Sequence, residues 1–322
     1  MEHIALICDE AYVLPTRVTI QSIIDSCIGE HITIHVCTFG LSEESERQFK
    51  KMSTQLINVE VNCFSYEEMA GYIEQIPQKS HVTPTALIKF ALADYFSCVD
   101  KLLYLDSDIV VAHELIELFE IDLRGIYLAA VFEFYKYLND LWYVPKQKRK
   151  SSFYFNSGVM LLNLKLLRTD EIQKKLWHYK IHEAKTTLMD QESLNSVCGD
   201  RVIPLSIKWN FNPAFYDNSY IKRINEIYNT RYRNKDELIK DACIIHYVGK
   251  QDKPWIYNTA RQGELWWKMY CRAYNKRNFD DLNLSRFQPA KGTVLQSATR
   301  IIKEHGFTGF VNYILFKLSN RG

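Results

Sequence analysis

No apolar stretch in this 322-residue chain reaches the ~20 residues that a helical membrane span requires. Glycine and proline are scarce, 12 and 8 in all, which excludes collagen-like and low-complexity readings. The eight cysteines are scattered, with no CxxC pair and no zinc spacing, so a disulfide scaffold and a zinc module are both excluded. Cys8, Cys37 and Cys243 sit inside apolar runs, as small core residues do, and the set fits a reducing compartment. The opening residues Met-Glu-His-Ile-Ala-Leu-Ile lack the basic start of an export signal. They read as a strand, and a cytoplasmic protein is expected. Charge of one sign is missing too: a net +2 does not make a polyanion binder, and no nucleic-acid partner is expected. No Gly-x-Gly-x-x-Gly follows the first apolar run, and no Walker loop occurs, which removes ordinary dinucleotide and P-loop sites. A nucleotide bound here would have its phosphates held by cations.

What is present is an alternation of strand and helix patterns. Apolar runs at 4–8, 31–37 and 58–63 are separated by helical patterns at 14–24 and 41–52, the second capped by Ser42. Such alternation implies an α/β fold with a parallel sheet, and such sheets bind ligands beyond the carboxyl ends of their strands. Asp9 stands at one such end. Pro84 suits the start of a helix that carries Lys89. Further strands are expected at 102–105, at 127–132 ending in Glu133, at 201–205 and at 242–247. Residues 134–152 are aromatic and then basic, and read as a loop over the site or a partner contact. After residue 272 basic and aromatic residues interleave, among them Lys291, Arg300, Lys303, Phe307, Phe310 and Tyr313. That character suits an anionic membrane surface, or else a helical tail packed on the body.

Four stretches carry chemistry. In Leu-Tyr-Leu-Asp-Ser-Asp, Asp106 and Asp108 follow a buried strand. On an extended chain they would share a face roughly 7 Å apart, able to grip one divalent cation. Two anions beside an apolar strand need such a counter-charge. In Phe-Asn-Ser-Gly-Val-Met-Leu-Leu-Asn-Leu, the polar trio breaks a core pattern. Asn156 offers an amide that both donates and accepts. Gly158 permits close approach of a ligand, with a β-bulge as the plain alternative. His246 ends the last apolar run, either as a structural residue or as third ligand to the ion. Two oxygens and one nitrogen suit Mn²⁺ better than Ca²⁺, with Mg²⁺ as the alternative. Asp190 and Gln191 open a helix, where an aspartate is an ordinary cap.

Taken together and in order, these stretches, Asp-Gln-Glu-Ser-Leu-Asn, and His-Tyr-Val-Gly followed by Lys-Pro-Trp resemble glycosyltransferase family 8. The resemblance covers roughly residues 3–256. It implies a GT-A fold, a Rossmann-like mixed sheet flanked by helices. The catalytic domain would occupy 1–271 and a basic helical C-terminal extension 272–322. It also implies retaining transfer of a hexose, glucose or galactose, from a UDP-sugar to a glycan. Lipopolysaccharide core or another lipid-linked oligosaccharide is the expected acceptor, with the enzyme peripheral on the inner membrane face. Asp106, Asp108 and His246 match the metal ligands. Asp9 matches the residue near the uracil, Tyr12 a base-stacking aromatic, and Lys89 an arginine against the donor. Ser107 counts among the donor contacts. Glu133 stands where an aspartate contacting the sugar is expected, and Asn156 and Gly158 line the sugar. Asp190 would bind the hexose hydroxyls, and Gln191 would lie near the β face of the anomeric carbon. Gly249 and Lys253 match the diphosphate loop, with Lys250 a competitor for that role. With Gln191 a poor nucleophile, a front-face mechanism is expected. A metal-dependent phosphohydrolase or nucleotidyltransferase, and a non-catalytic sugar-nucleotide binder, are the competing functions.

Overall fold

The computed structural model describes residues 1–76, 83–133, 154–184, 190–213, 218–249, 252–256, 260 and 262–276. The expected loop at 134–152, Lys250 and the tail from 277 onward lie outside the described residues.

Strands β1 (Glu2–Ile7), β2 (Ile32–Thr38), β3 (Ile57–Cys63), β4 (Lys101–Leu105), β6 (Leu128–Phe132), β7 (Phe155–Asn163) and β8 (Val202–Leu205) form one sheet in the order β3-β2-β1-β4-β7-β6-β8. Its first half is parallel, as the alternating pattern implies, with β1 beside both β2 and β4. The second half departs from that pattern. Strand β7 runs antiparallel to both β4 and β6, so the sheet is mixed, as the family resemblance implies. The sequence 153–164 has no feature that distinguishes an antiparallel strand, because all its neighbours are buried on both faces.

Side chains alternate strictly. Ile4, Leu6, Leu103, Leu105 and Leu161 enter one core, while Ala5, Leu102, Tyr104, Met160 and Leu162 enter the other. Helices cover both faces, which is why these strands read as continuous apolar runs. Helix Gly263–Ala273 crosses position 271 and is tied to the first helix, Val13–Ser26, through Arg17 Nη2 donating to the Ala273 carbonyl at 3.0 Å.

Topology places the site. β1, β4, β6 and β8 end on one edge of the sheet, and antiparallel β7 begins there. A second, two-stranded sheet pairs β5 (Ile109–Val111) with β9 (Ile244–His246) antiparallel beside that edge.

Candidate active site

Asp106 and Asp108 do not converge through strand alternation. β4 ends at Leu105, and the two carboxylates lie on a turn that leads into β5. The turn is pinned by the Ser107 hydroxyl donating to the Ile7 carbonyl at 2.6 Å. Thr19 Oγ1 lies within hydrogen-bond reach of the Ser107 and Ile109 carbonyls, at 3.1 and 2.7 Å. Pairing of β5 with β9 sets Ile109 opposite His246, which carries the imidazole across some 140 positions of sequence to Asp108. His246 Nε2 lies 3.0 Å from Asp108 Oδ1 and 3.5 Å from Asp106 Oδ2.

One ligand atom from each of the three residues lies within 4.8 Å of the others. The residues fit a divalent cation on two further observations. Asp108 Oδ1 is buried and turned to His246 Nε2 at 3.0 Å, so two potential ligand atoms face one another out of water, an arrangement that a cation would stabilise. The backbone of Gly158 also leaves the triad its room: a Cβ there would lie 2.2 Å from His246 Cε1 and 2.8 Å from Asp106 Oδ2. Burial pushes the Asp108 carboxyl up, but the Lys253 ammonium and then His246 outweigh it and hold the carboxyl below its ordinary value. Lys253 is itself buried, bonded to Asp108 Oδ2, with its ammonium 5.4 Å above the Trp255 ring.

A second charged cluster abuts the first. Lys89 is not a surface lysine; its ammonium is buried, 2.7 Å from Asp190 Oδ2 and 3.2 Å from Asp106 Oδ1. Burial alone would lower its pKa, yet Asp106 and Asp190 together raise it, so it stays charged. Asp190 occupies the N-cap position of helix Gln191–Cys198 without capping it, because its carboxylate is turned to Lys89. Tyr104 completes the cluster: its hydroxyl donates to Asp106 Oδ1 at 2.7 Å, and its ring lies under Lys89.

The Asn-Ser-Gly stretch meets the plainer reading of its sequence, a β-bulge. Register between β6 and β7 shifts across Asn156-Ser157-Gly158, so the trio is an irregularity of the ladder. Side chains at the end of β6 and on helix Gln191–Cys198 also bond to it. Asn156 Nδ2 donates to Glu133 Oε1 at 2.7 Å, and Gln191 Oε1 accepts from Ser157 N at 3.1 Å. Burial pushes the Glu133 carboxyl up to about 7, against the opposing hydrogen bonds of Asn156 and Gln191.

Other expected residues lie around this centre. Asp9 caps the turn after β1 by accepting from Tyr12 N at 3.1 Å. Tyr12, partly exposed, meets Trp255 edge-on with ring centroids 6.1 Å apart. The Ser107 hydroxyl is engaged by Ile7, as above. Gly249 has φ +96, a conformation that favours glycine, directly after the His246 strand.

The family model of glycosyl transferase family 8 matches residues 3–259. The chain belongs to that family. Curated relatives include the glycosyltransferase GlyF of Streptococcus pneumoniae, 26% identical over 289 residues, covering 89% of this chain and 66% of GlyF. The lipopolysaccharide 1,3-galactosyltransferase of Salmonella typhimurium is 26% identical, covering 79% of this chain and 72% of its own length. The lipopolysaccharide 1,2-glucosyltransferase of Escherichia coli is 27% identical, covering 89% and 80%. The chain spans less than two thirds of GlyF and 58% of the pneumococcal GlyE. Among solved structures, the galactosyltransferase LgtC with donor and acceptor sugar analogs superposes with a TM-score of 0.65 at 24% identity, covering 84% of this chain and 96% of LgtC. The fold is that of the GT-A glycosyltransferases, matching the resemblance read from the motifs.

Several residues of this family-8 site carry weight that the sequence reading did not assign. Asn210 is buried against His246, with Oδ1 2.9 Å from Nδ1. Asn195 flanks the start of β7 like a strand neighbour, accepting from Phe155 N and donating to Phe155 O. Tyr104 and Thr19 brace the two aspartates. A signal existed for Asn210, a polar residue inside the aromatic run 209–211. Tyr104 read only as an apolar strand residue.

Proposed function

We propose that this chain transfers a hexose, glucose or galactose, from a UDP-sugar to a glycan acceptor with retention of configuration. One observation carries the reading: an acceptor triad of Asp106, Asp108 and His246 adjoins a buried Lys89–Asp190 pair at the strand ends. Asp106, Asp108 and His246 would hold a divalent ion, Mn²⁺ by preference and Mg²⁺ as the alternative; bound there, it supplies positive charge to the leaving diphosphate. Lys253, with Lys250 as the alternative, adds a second positive charge where negative charge develops. Asp9 and Tyr12 take the uridine, and Gly249 lets the backbone approach the phosphates. Asp190, Glu133, Asn156 and Gly158 line the hexose.

Asp190 is neutralised by Lys89 and Gln191 is an amide, so neither is an effective nucleophile. Retention then proceeds on the front face. The bond from the anomeric carbon to the UDP oxygen breaks, the acceptor oxygen bonds to the same face, and its proton passes to the departing phosphate. The named relatives support a lipid-linked glycan acceptor such as lipopolysaccharide core. The basic aromatic tail supports peripheral contact with an anionic membrane surface. Eight free cysteines support a cytoplasmic setting, and no helix among the described residues is long and apolar enough to cross a membrane.

The test is a screen of UDP-glucose, UDP-galactose and N-acetylated donors for Mn²⁺-dependent UDP release, with and without acceptor glycans. One hexose donor should stand out, and D108A should lose at least about a hundredfold in rate, the scale expected for losing charge stabilisation of the leaving group. Full activity of D108A, or a glycosyl–enzyme adduct trapped in mass spectrometry, would sink the reading as drawn. Phosphate release from nucleotides without any sugar would favour the phosphohydrolase.

A further inference from the structure

The two amide atoms of Asn210 bond in opposite directions. One faces His246 Nδ1 at 2.9 Å, and the other faces the Asn156 side chain at 2.8 Å. Asn156 reaches on to Glu133 Oε1 at 2.7 Å. A chain of amides and an imidazole can in principle run either way, since each group both donates and accepts.

One backbone group sets its direction. Gly158 N–H can only donate, and it lies 2.8 Å from the Asn156 atom that faces Asn210. That atom is therefore the oxygen. The Asn210 atom opposite it must donate, so it is the nitrogen, and the atom facing His246 is the oxygen. An oxygen there requires the hydrogen of the ring to sit on Nδ1. Nε2 is then the ring nitrogen that faces Asp108 Oδ1 and Asp106 Oδ2, at 3.0 and 3.5 Å. Asn210 is held in place by its neighbour: Phe211 donates to the Ile244 carbonyl at 2.9 Å and accepts from His246 N at 2.8 Å.

We propose that Asn210 is a positioning residue that accepts the His246 Nδ1–H, so that Nε2 is the nitrogen aimed at the two carboxylates, and couples that ring to the sugar-lining Asn156 and Glu133. The functional consequence rests on the divalent-cation reading above, whereas the tautomer assignment stands on the hydrogen-bond geometry. The opposite tautomer would set a hydrogen where the triad must present only acceptors.

The experiment uses the full chain with ¹⁵N-labelled histidine, free of metal, and long-range ¹H–¹⁵N correlation of the imidazoles, with H246Q to assign the signal. Wild type should show His246 with a hydrogen on Nδ1. N210L should shift it toward Nε2–H and weaken Mn²⁺ binding, measured by electron paramagnetic resonance, about 10- to 100-fold. N210D keeps an acceptor for Nδ1 but cannot donate to Asn156. It should retain the tautomer and near-wild-type Mn²⁺ affinity, while KM for the UDP-sugar rises about tenfold with the lost bond. Wild type protonated at Nε2 and bare at Nδ1, or N210L with the wild-type spectrum and affinity, would overturn the proposal. Where N210L does not fold, N210D decides, and loss of the Nδ1–H pattern in N210D would overturn it. A wild type with the Nδ1–H pattern that binds no Mn²⁺ would uphold the tautomer and remove the metal reading instead.

Discussion

Gly158 shows how a single position can serve two purposes. Its sequence context calls for close approach of a ligand, yet the groups that approach are the protein's own His246 and Asp106. Adding one methyl would force the imidazole out of the triad. G158A should therefore cost about 1–3 kcal/mol through overpacking and abolish Mn²⁺ binding in titrations, while the far-ultraviolet circular dichroism stays that of wild type. An alanine variant that binds Mn²⁺ normally would show that the triad does not depend on this contact. Lys89 carries a related lesson. Its helix pattern does not say where the ammonium goes; two carboxylates more than eighty positions apart, Asp106 and Asp190, draw it inward. Neither partner is close to it in sequence, so the pairing was not legible.

Strand β5 has three residues and one paired edge, against β9. Its other edge is satisfied by hydroxyls of helix Val13–Ser26: Thr19 with the Ile109 carbonyl, Ser22 Oγ accepting from Val111 N, and Ser26 with the Val111 carbonyl. The 19, 22, 26 spacing places these on one helix face, where a buried hydroxyl stripe replaces a strand. On the far side of the sheet, His3 of β1, His35 of β2 and Asn62 of β3 form a cross-strand chain, with contacts of 3.0 and 2.9 Å. Burial lowers the pKa of both imidazoles, against the weaker upward pull of Glu60. The unfolded chain therefore takes up these protons first as pH falls. Stability should be fully present above the ordinary histidine value of 6.5 and be lost progressively below it. H35Q should flatten that dependence in thermal melts between pH 7.5 and 5. An unchanged slope would show that the pair does not contribute to acid sensitivity.

At the scale of the whole molecule, the site exists because the sheet is mixed. With β7 reversed between β4 and β6, its amino end, carrying Asn156 and Gly158, meets the carboxyl ends of β4 and β6, carrying Asp106 and Glu133. An all-parallel sheet would put Asn156 at the opposite ends of the strands, a strand length away from Asp106 and Glu133. The basic aromatic residues beyond 276 add an expectation for the intact chain. If they make the membrane contact, removing residues 277–322 should free the protein from sedimenting anionic phospholipid vesicles while UDP-sugar hydrolysis persists. Continued sedimentation of the shortened protein would end that idea.

The linear order of residues by itself determined the alternation of strands and helices, the two aspartates, the Asn-Ser-Gly break and the terminal histidine. These are set by local periodicity, and by polar groups that stand out inside apolar runs. Tertiary structure alone decided that Asp190 binds Lys89 instead of capping its helix, that Asn210 meets His246 and Tyr104 meets Asp106, and that a turn brings the aspartates together. Those outcomes depend on strand direction and register, which doubly buried strands do not record in their composition.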